Sequence, residues 1–285
     1  MTQPPLAPPN GRPYSPVVTL NGWTSPWRMK DGWKEFHLVA EPVRREIAPG
    51  MVANLWGYNG QSPGPTLECV EGDRLRIFVT NKLPEHTTIH WHGVILPNGM
   101  DGVGGLNQPH IQPGKTFVYE FEMKKSGTFM YHPHADETLQ MAMGLMGSIV
   151  VHPKNPNLYR VDRDFVFILN AYDIDPGSYT PRVNTMLDFN LWTWNSRAFP
   201  GIDPLIVRKD DRVRVRIGNL TMTNHPFIYT ATISKLPAPT GAGCRSRRAG
   251  PKSRPTWRWA RCACWNSSPT TPATGHSTAI SRITP

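Results

Sequence analysis

Cysteine is scarce where a folded body would use it. Of 285 residues four are Cys, and only Cys69 lies before residue 228, while Cys244, Cys262 and Cys264 crowd toward the other end. One thiol cannot make a disulfide framework, so the main body must be held by a hydrophobic core. Cys69, inside an apolar run, reads as a small buried hydrophobe. Long apolar runs are missing as well. No window approaches the roughly 18 residues of a helical membrane span, so no membrane partner is expected. The opening, MTQPPLAPPNGRPYSP, has no apolar segment of signal-peptide type. That leaves two expectations: a cytoplasmic protein, or a start inside a longer precursor. Helical spacing of apolar residues is absent too, which argues against a helical bundle.

Acidic residues also run out. Ile228 to Pro285 contains nine Lys/Arg and no Asp or Glu, although the chain as a whole carries +10. The first 227 residues then hold 22 basic and 21 acidic groups, a net of +1. The basic character is local to a tail without β-alternation, so a nucleic-acid partner is not expected.

What is present is a series of short β-type runs between Gly, Pro and Asn. RLRIFVT and RVRVRIG alternate apolar and basic residues, as strands with one wet face do. The expected class is all-β, of sandwich or small-barrel type. An internal repeat sets the domain count. The segment from Asn54 to Asn81 recurs from Asn190 to Asn219: Asn54, Leu55, Trp56 and Asn59 match Asn190, Leu191, Trp192 and Asn195. Asp73, Arg74 and Asn81 match Asp211, Arg212 and Asn219. Two similar sandwiches in tandem follow, with a turn-rich linker near His152–Asn157. The expected division is an extended or poorly ordered arm over 1–29, a first domain over 30–155, a partial second domain over 160–227 and an aberrant tail over 228–285.

Chemistry is concentrated in histidines. TIHWHG contains His90 and His92, and GTFMYHPHADE contains His132 and His134. Residues i and i+2 of a strand share a face, so each His-X-His can aim two imidazoles at one point. Imidazole suits copper, zinc, iron and nickel. A single pair of this kind is commonly accidental; two in one sandwich, each at a strand end, point to a metal centre. His37, His86, His110 and His152 have no partner at ligand spacing and read as ordinary polar residues. Met141, Met143 and Met146 could line a copper or substrate path, but apolar packing under a loop is the simpler reading.

HWHGVILPNGMDG and GTFMYHPH resemble the first two copper motifs of the multicopper oxidase family, in the family's order, and the likeness extends over about Glu35 to Phe227. The resemblance implies tandem cupredoxin-like Greek-key sandwiches, the second incomplete. It makes His90 a ligand of a type 2 copper, and His92, His132 and His134 ligands of paired type 3 coppers. Asp101 matches an acid that helps deliver protons near the trinuclear cluster, although Asp-Gly is also simply a turn. No Cys lies near either motif, so a blue, type 1 site, which needs a thiolate, is not expected in the first domain.

The family's third motif resembles HPFHLHGH, and a fourth contains His-Cys-His. Here the third begins, as Asn224-His225-Pro226-Phe227, and then gives way to IYTATISK. His225 would be a type 1 ligand. Reading on after Phe227 with one base lost allows HLHGHDF directly after HPF, and FHCHKSHHP from Ser277 to Pro285. A frameshift with a disordered tail is the resulting expectation. The parent resembles the two-domain, small-laccase type, a homotrimer of periplasmic or secreted location that oxidises a small-molecule or metal-ion reductant and reduces dioxygen. The chain as written, its type 1 site lost, is expected to be inactive. The rivals are a non-catalytic copper-binding or copper-tolerance protein and a copper nitrite reductase-like enzyme.

Overall fold

The structure is a computed structural model, and it describes residues 5–156, 160–183, 189–208, 210–225 and the backbone of 277–280. Almost every element is a strand. In chain order these are β1 (Val17–Thr19), β2 (Arg28–Lys30), β3 (Trp33–Ala48), β4 (Met51–Tyr58), β5 (Gly64–Val70), β6 (Arg74–Asn81) and β7 (His90–His92). They continue with β8 (Thr116–Glu122), β9 (Gly127–His132), helix α1 (Glu137–Ala142), β10 (Gly147–His152), β11 (Arg163–Tyr172), β12 (Leu191–Trp194), β13 (Val213–Asn219) and β14 (Ser277–Ile280). The all-β, cupredoxin-like class is as expected.

Two sheets face each other in the first unit. One runs β2-β3-β6-β8, with β4 also paired to β3; the other runs β5-β10-β9-β7. Alternation builds the core between them. On β6, Leu75, Ile77 and Val79 are fully buried while Arg74 is exposed and Arg76 partly so. Those apolar side chains meet Leu67, Trp91, Tyr131 and Ile149 from the facing sheet. Cys69 is free and fully buried in this core. Burial pushes its thiol well up, so it packs as a hydrophobe.

β5 and β10 are buried at every position. Strands covered on both faces lose alternation, and the second cover here is a third sheet, β1-β11-β13-β14 with β12 beside β11. Val150 of β10, Val166 of β11 and Val17 of β1 form an apolar cluster at this seam. Buried Asp164 holds Arg214 and Arg216, and Arg216 reaches Thr128 Oγ1 of β9 at 2.9 Å. A buried carboxylate needs such partners.

The segment read as an arm contains a strand, β1. Val17, Val18 and Thr19 pair in parallel with Asp164, Phe165 and Val166. Further on, the chain crosses to the first unit, where Ser25 N–H donates to Thr66 O and Thr66 N–H to Trp23 O. The Val-Val-Thr run, β-branched throughout, suits an open sheet edge, so the segment straps the two units together. The expected frame break and most of the tail lie outside the described residues. Within that tail the structure does contain β14, antiparallel to β13, although the tail shows no β-alternation.

Candidate metal centre

β7 is only three residues long, yet its register fixes the site. It pairs antiparallel with β9, placing His90 opposite His132, Trp91 opposite Tyr131 and His92 opposite Met130. Directly opposed residues share a face, so the histidines lie together on one side. Trp91 and Tyr131 point the other way, into the core, where both are fully buried. Trp91 meets Tyr119 edge-on at 5.0 Å between ring centres, and Tyr119 Oη accepts the Ile89 N–H at 3.0 Å. The aromatic core thus anchors the strand that presents His90 and His92.

The four rings converge. Ring centres of His90 lie 5.3 Å from His92, 5.3 Å from His132 and 5.4 Å from His134. One nitrogen from each of His90, His92 and His132 lies within 4.8 Å of the others. Backbone carbonyls set the tautomers. His90 Nδ1 is 2.7 Å from Asp101 O, and His132 Nδ1 is 2.9 Å from Pro133 O. A carbonyl only accepts, so each ring donates from Nδ1, and in its neutral form keeps a free lone pair on Nε2. His132 Nε2 then faces His92 Nδ1 at 3.0 Å. Burial, reinforced by the neighbouring imidazoles, lowers His92 to about 4 and His132 to about 3. Both are neutral at neutral pH, the form that ligates metal.

The loops around the cluster are fitted to it. His134 N–H donates to Thr88 Oγ1 at 3.2 Å, and Gly104 N–H donates to His134 O. Gly102 has φ +86°, and a Cβ there would lie 1.8 Å from Ile89 O. The Asp-Gly turn therefore needs glycine to bring the Asp101 carbonyl to His90. The Asp101 carboxylate is itself 3.3 Å from His90 Nδ1.

Sequence spacing missed several neighbours. Glu137, at the start of α1, has carboxylate oxygens 3.7 Å from His132 Nδ1 and 3.8 Å from His134 Nε2. The Glu three residues after a histidine was the available signal. A cavity of about 80 Å³ opens beside His92 and His132, lined by Met130, Met141, Asn170, Arg182 and Met222 among others. Met143 and Met146 are buried, as read, but Met141 faces this cavity. His225 Nε2 is bonded to Thr221 Oγ1 at 2.8 Å and Thr223 Oγ1 at 3.1 Å, and Thr221 lines the same cavity as His92 and His132.

The histidines without a partner at ligand spacing each have a definite setting. His152 is buried against Glu68 at 2.7 Å and stacks on Tyr14. His86 and His110, not at ligand spacing in sequence, have ring centres 4.3 Å apart. Only the fold brings together residues 24 positions distant in sequence. His37 stacks on Phe78 and is indeed structural.

With this geometry in place, likeness to known proteins is informative. The profile of the multicopper oxidase family matches residues 40–156. Copper resistance protein A of Escherichia coli is 41% identical over 132 residues, covering 46% of this chain and 22% of that protein. A multicopper oxidase from Pseudomonas thermotolerans superposes with TM-score 0.60 at 36% identity, over 67% of this chain and 47% of its own. Another multicopper oxidase crystal structure gives TM-score 0.59 at 34% identity, over 71% and 68%. The chain thus spans about a fifth of the Escherichia coli protein and just under half of the Pseudomonas thermotolerans one. Sequence profile, sandwich architecture and converging imidazoles agree: the chain belongs to the multicopper oxidase family, whose members are copper-dependent oxidoreductases.

Proposed function

We propose that this chain supplies the first-domain half of a trinuclear copper centre that couples one-electron oxidation of a reducing substrate to reduction of dioxygen to water. The observation that carries the reading is the convergence of His90, His92 and His132 within 4.8 Å, with His134 beside them. In this reading His90 holds the type 2 copper, and His92, His132 and His134 hold the type 3 pair. Copper, when bound, supplies the redox chemistry. The chain's own groups fix and tune it. Asp101 O and Pro133 O lock the His90 and His132 rings, and Thr88 and Gly104 hold the backbone of His134. The Asp101 carboxylate lies beside His90, where it can hold a proton for delivery to the cluster. His225 is a type 1 ligand of the intact parent, which we read as a two-domain homotrimer. The remaining ligands, a thiolate among them, are restored by the frame-corrected sequence, and the chain as written is inactive.

A second reading, copper binding without turnover, draws support from the likeness to a copper resistance protein. Dioxygen uptake separates the two. The frame-corrected, copper-loaded protein should consume dioxygen with a phenol or a reducing metal ion, and His132→Ala should abolish uptake. A well-folded, copper-loaded protein that takes up no dioxygen supports the second reading. Uptake that survives His132→Ala would rule out this cluster as the catalytic centre.

A further inference from the structure

Outside the cluster, two imidazoles have no role in the reading above. His86 precedes the Thr87-Thr88 turn into β7, and His110 ends the loop that carries Asp101 and Gly104. A reciprocal backbone pair joins these segments: Thr87 N–H donates to Ile111 O at 3.1 Å, and Ile111 N–H to Thr87 O at 2.8 Å. The rings so placed have centres 4.3 Å apart with planes 39° from parallel. Among the described residues, neither ring forms a hydrogen bond or ion pair with protein. His110 is seated on bare backbone, since a Cβ at Gly104 would fall 2.4 Å from its Nε2.

We propose that His86 and His110 form a second, mononuclear site for a divalent copper-type ion, separate from the four-histidine cluster. Two imidazoles bound cis to one ion, each at about 2.0 Å, have ring centres about 4.5 Å apart. The observed 4.3 Å matches that arrangement. Both rings are partly exposed, so water can complete a tetragonal nitrogen–oxygen set, the environment that favours Cu²⁺ or Ni²⁺. Among first-row divalent ions Cu²⁺ binds such donors most tightly. Burial, aided by His86, lowers the His110 pKa and favours the neutral, ligating form. The same loops hold His134 through Thr88 and Gly104, which puts the second site next to the first without sharing a ligand.

The site does not depend on the oxidase reading, and copper counting can separate the two. The full chain with His90, His92, His132 and His134 all replaced by Ala should retain one Cu²⁺ per chain after dialysis. Its electron paramagnetic resonance spectrum should show coupling to two nitrogens, and adding His86→Gln and His110→Gln should remove that ion. Retention after the second pair of changes, or no Cu²⁺ in the folded four-histidine variant, overturns the proposal. Should the four-histidine variant fail to fold, the chain with all four intact serves instead. There His86→Gln with His110→Gln must lower the copper count by one, and an unchanged count overturns the proposal. Equal copper in the native chain and the folded four-histidine variant would instead refute the cluster.

Discussion

The first unit and the third sheet begin with the same frame and end with different contents. In both, a central strand pairs antiparallel with one neighbour and parallel with the next: β4-β3-β6 in the first, β12-β11-β13 in the second. The matching asparagines do matching work. Asn59, at φ 53°, accepts from Val39 N–H and donates to His37 O. Asn195, at φ 50°, accepts from Ile168 N–H and donates to Val166 O. Asn81 and Asn219 each accept a backbone N–H two residues on and donate to a carbonyl four residues on. Among the described residues the first unit also has a second sheet, and all four cluster histidines lie on or just beyond that sheet's β7 and β9. The repeat therefore encodes scaffold; the metal chemistry belongs to the layer packed on it.

Three experiments test that contrast. The largest effect is expected at Gly102, which belongs to the metal layer alone. Alanine there combines a left-handed backbone penalty with overpacking against Ile89 O, about 4 kcal/mol together. Thermal melts should show the loss, and metal analysis should show weaker binding as Asp101 O leaves His90. Unchanged stability would mean that the turn is not tightly fitted. Next come the scaffold asparagines. Asn195→Ala leaves three backbone groups unpaired, including Leu20 O, and should cost about 3 kcal/mol, against about 2 for the less buried Asn59→Ala. Neither should change which metal is bound at the cluster. If Asn59→Ala proves the more damaging in denaturant titrations, the two copies are not equivalent supports.

A third test is the pH dependence of the metal-free protein. His92 and His132 titrate in the folded state at about 4 and about 3, below the ordinary 6.5. The unfolded chain then binds more protons between those limits, so stability rises with pH there. The contribution is complete above 6.5 and is lost as pH falls toward 4 and then 3. Melting temperatures across pH 4 to 7 should fall with acidity, and His132→Gln should flatten the curve. An equal slope in that variant would place the proton uptake elsewhere.

Much of the fold was legible because it follows from local rules. Period-2 runs such as RLRIFVT gave strands, the repeat gave tandem units, and His-X-His gave pairs of imidazoles on one strand face. Other features were hidden because they depend on who lies opposite. The strap made by Val17–Thr19 is invisible in a Pro-rich opening, since only the free edge of β11 gives that short run a partner. Glu137 and the Asp101 carbonyl join the cluster through loop geometry, and His86 meets His110 only because Thr87 pairs with Ile111.

Residue types, strand periodicity and the two-by-two presentation of His90, His92, His132 and His134 are local properties of the chain. That the two pairs meet is a property of the folded chain, because the register of β7 against β9 sets His90 opposite His132. Periodicity along one strand fixes the face on which a side chain lies. Only hydrogen bonding between strands fixes which side chain it meets there.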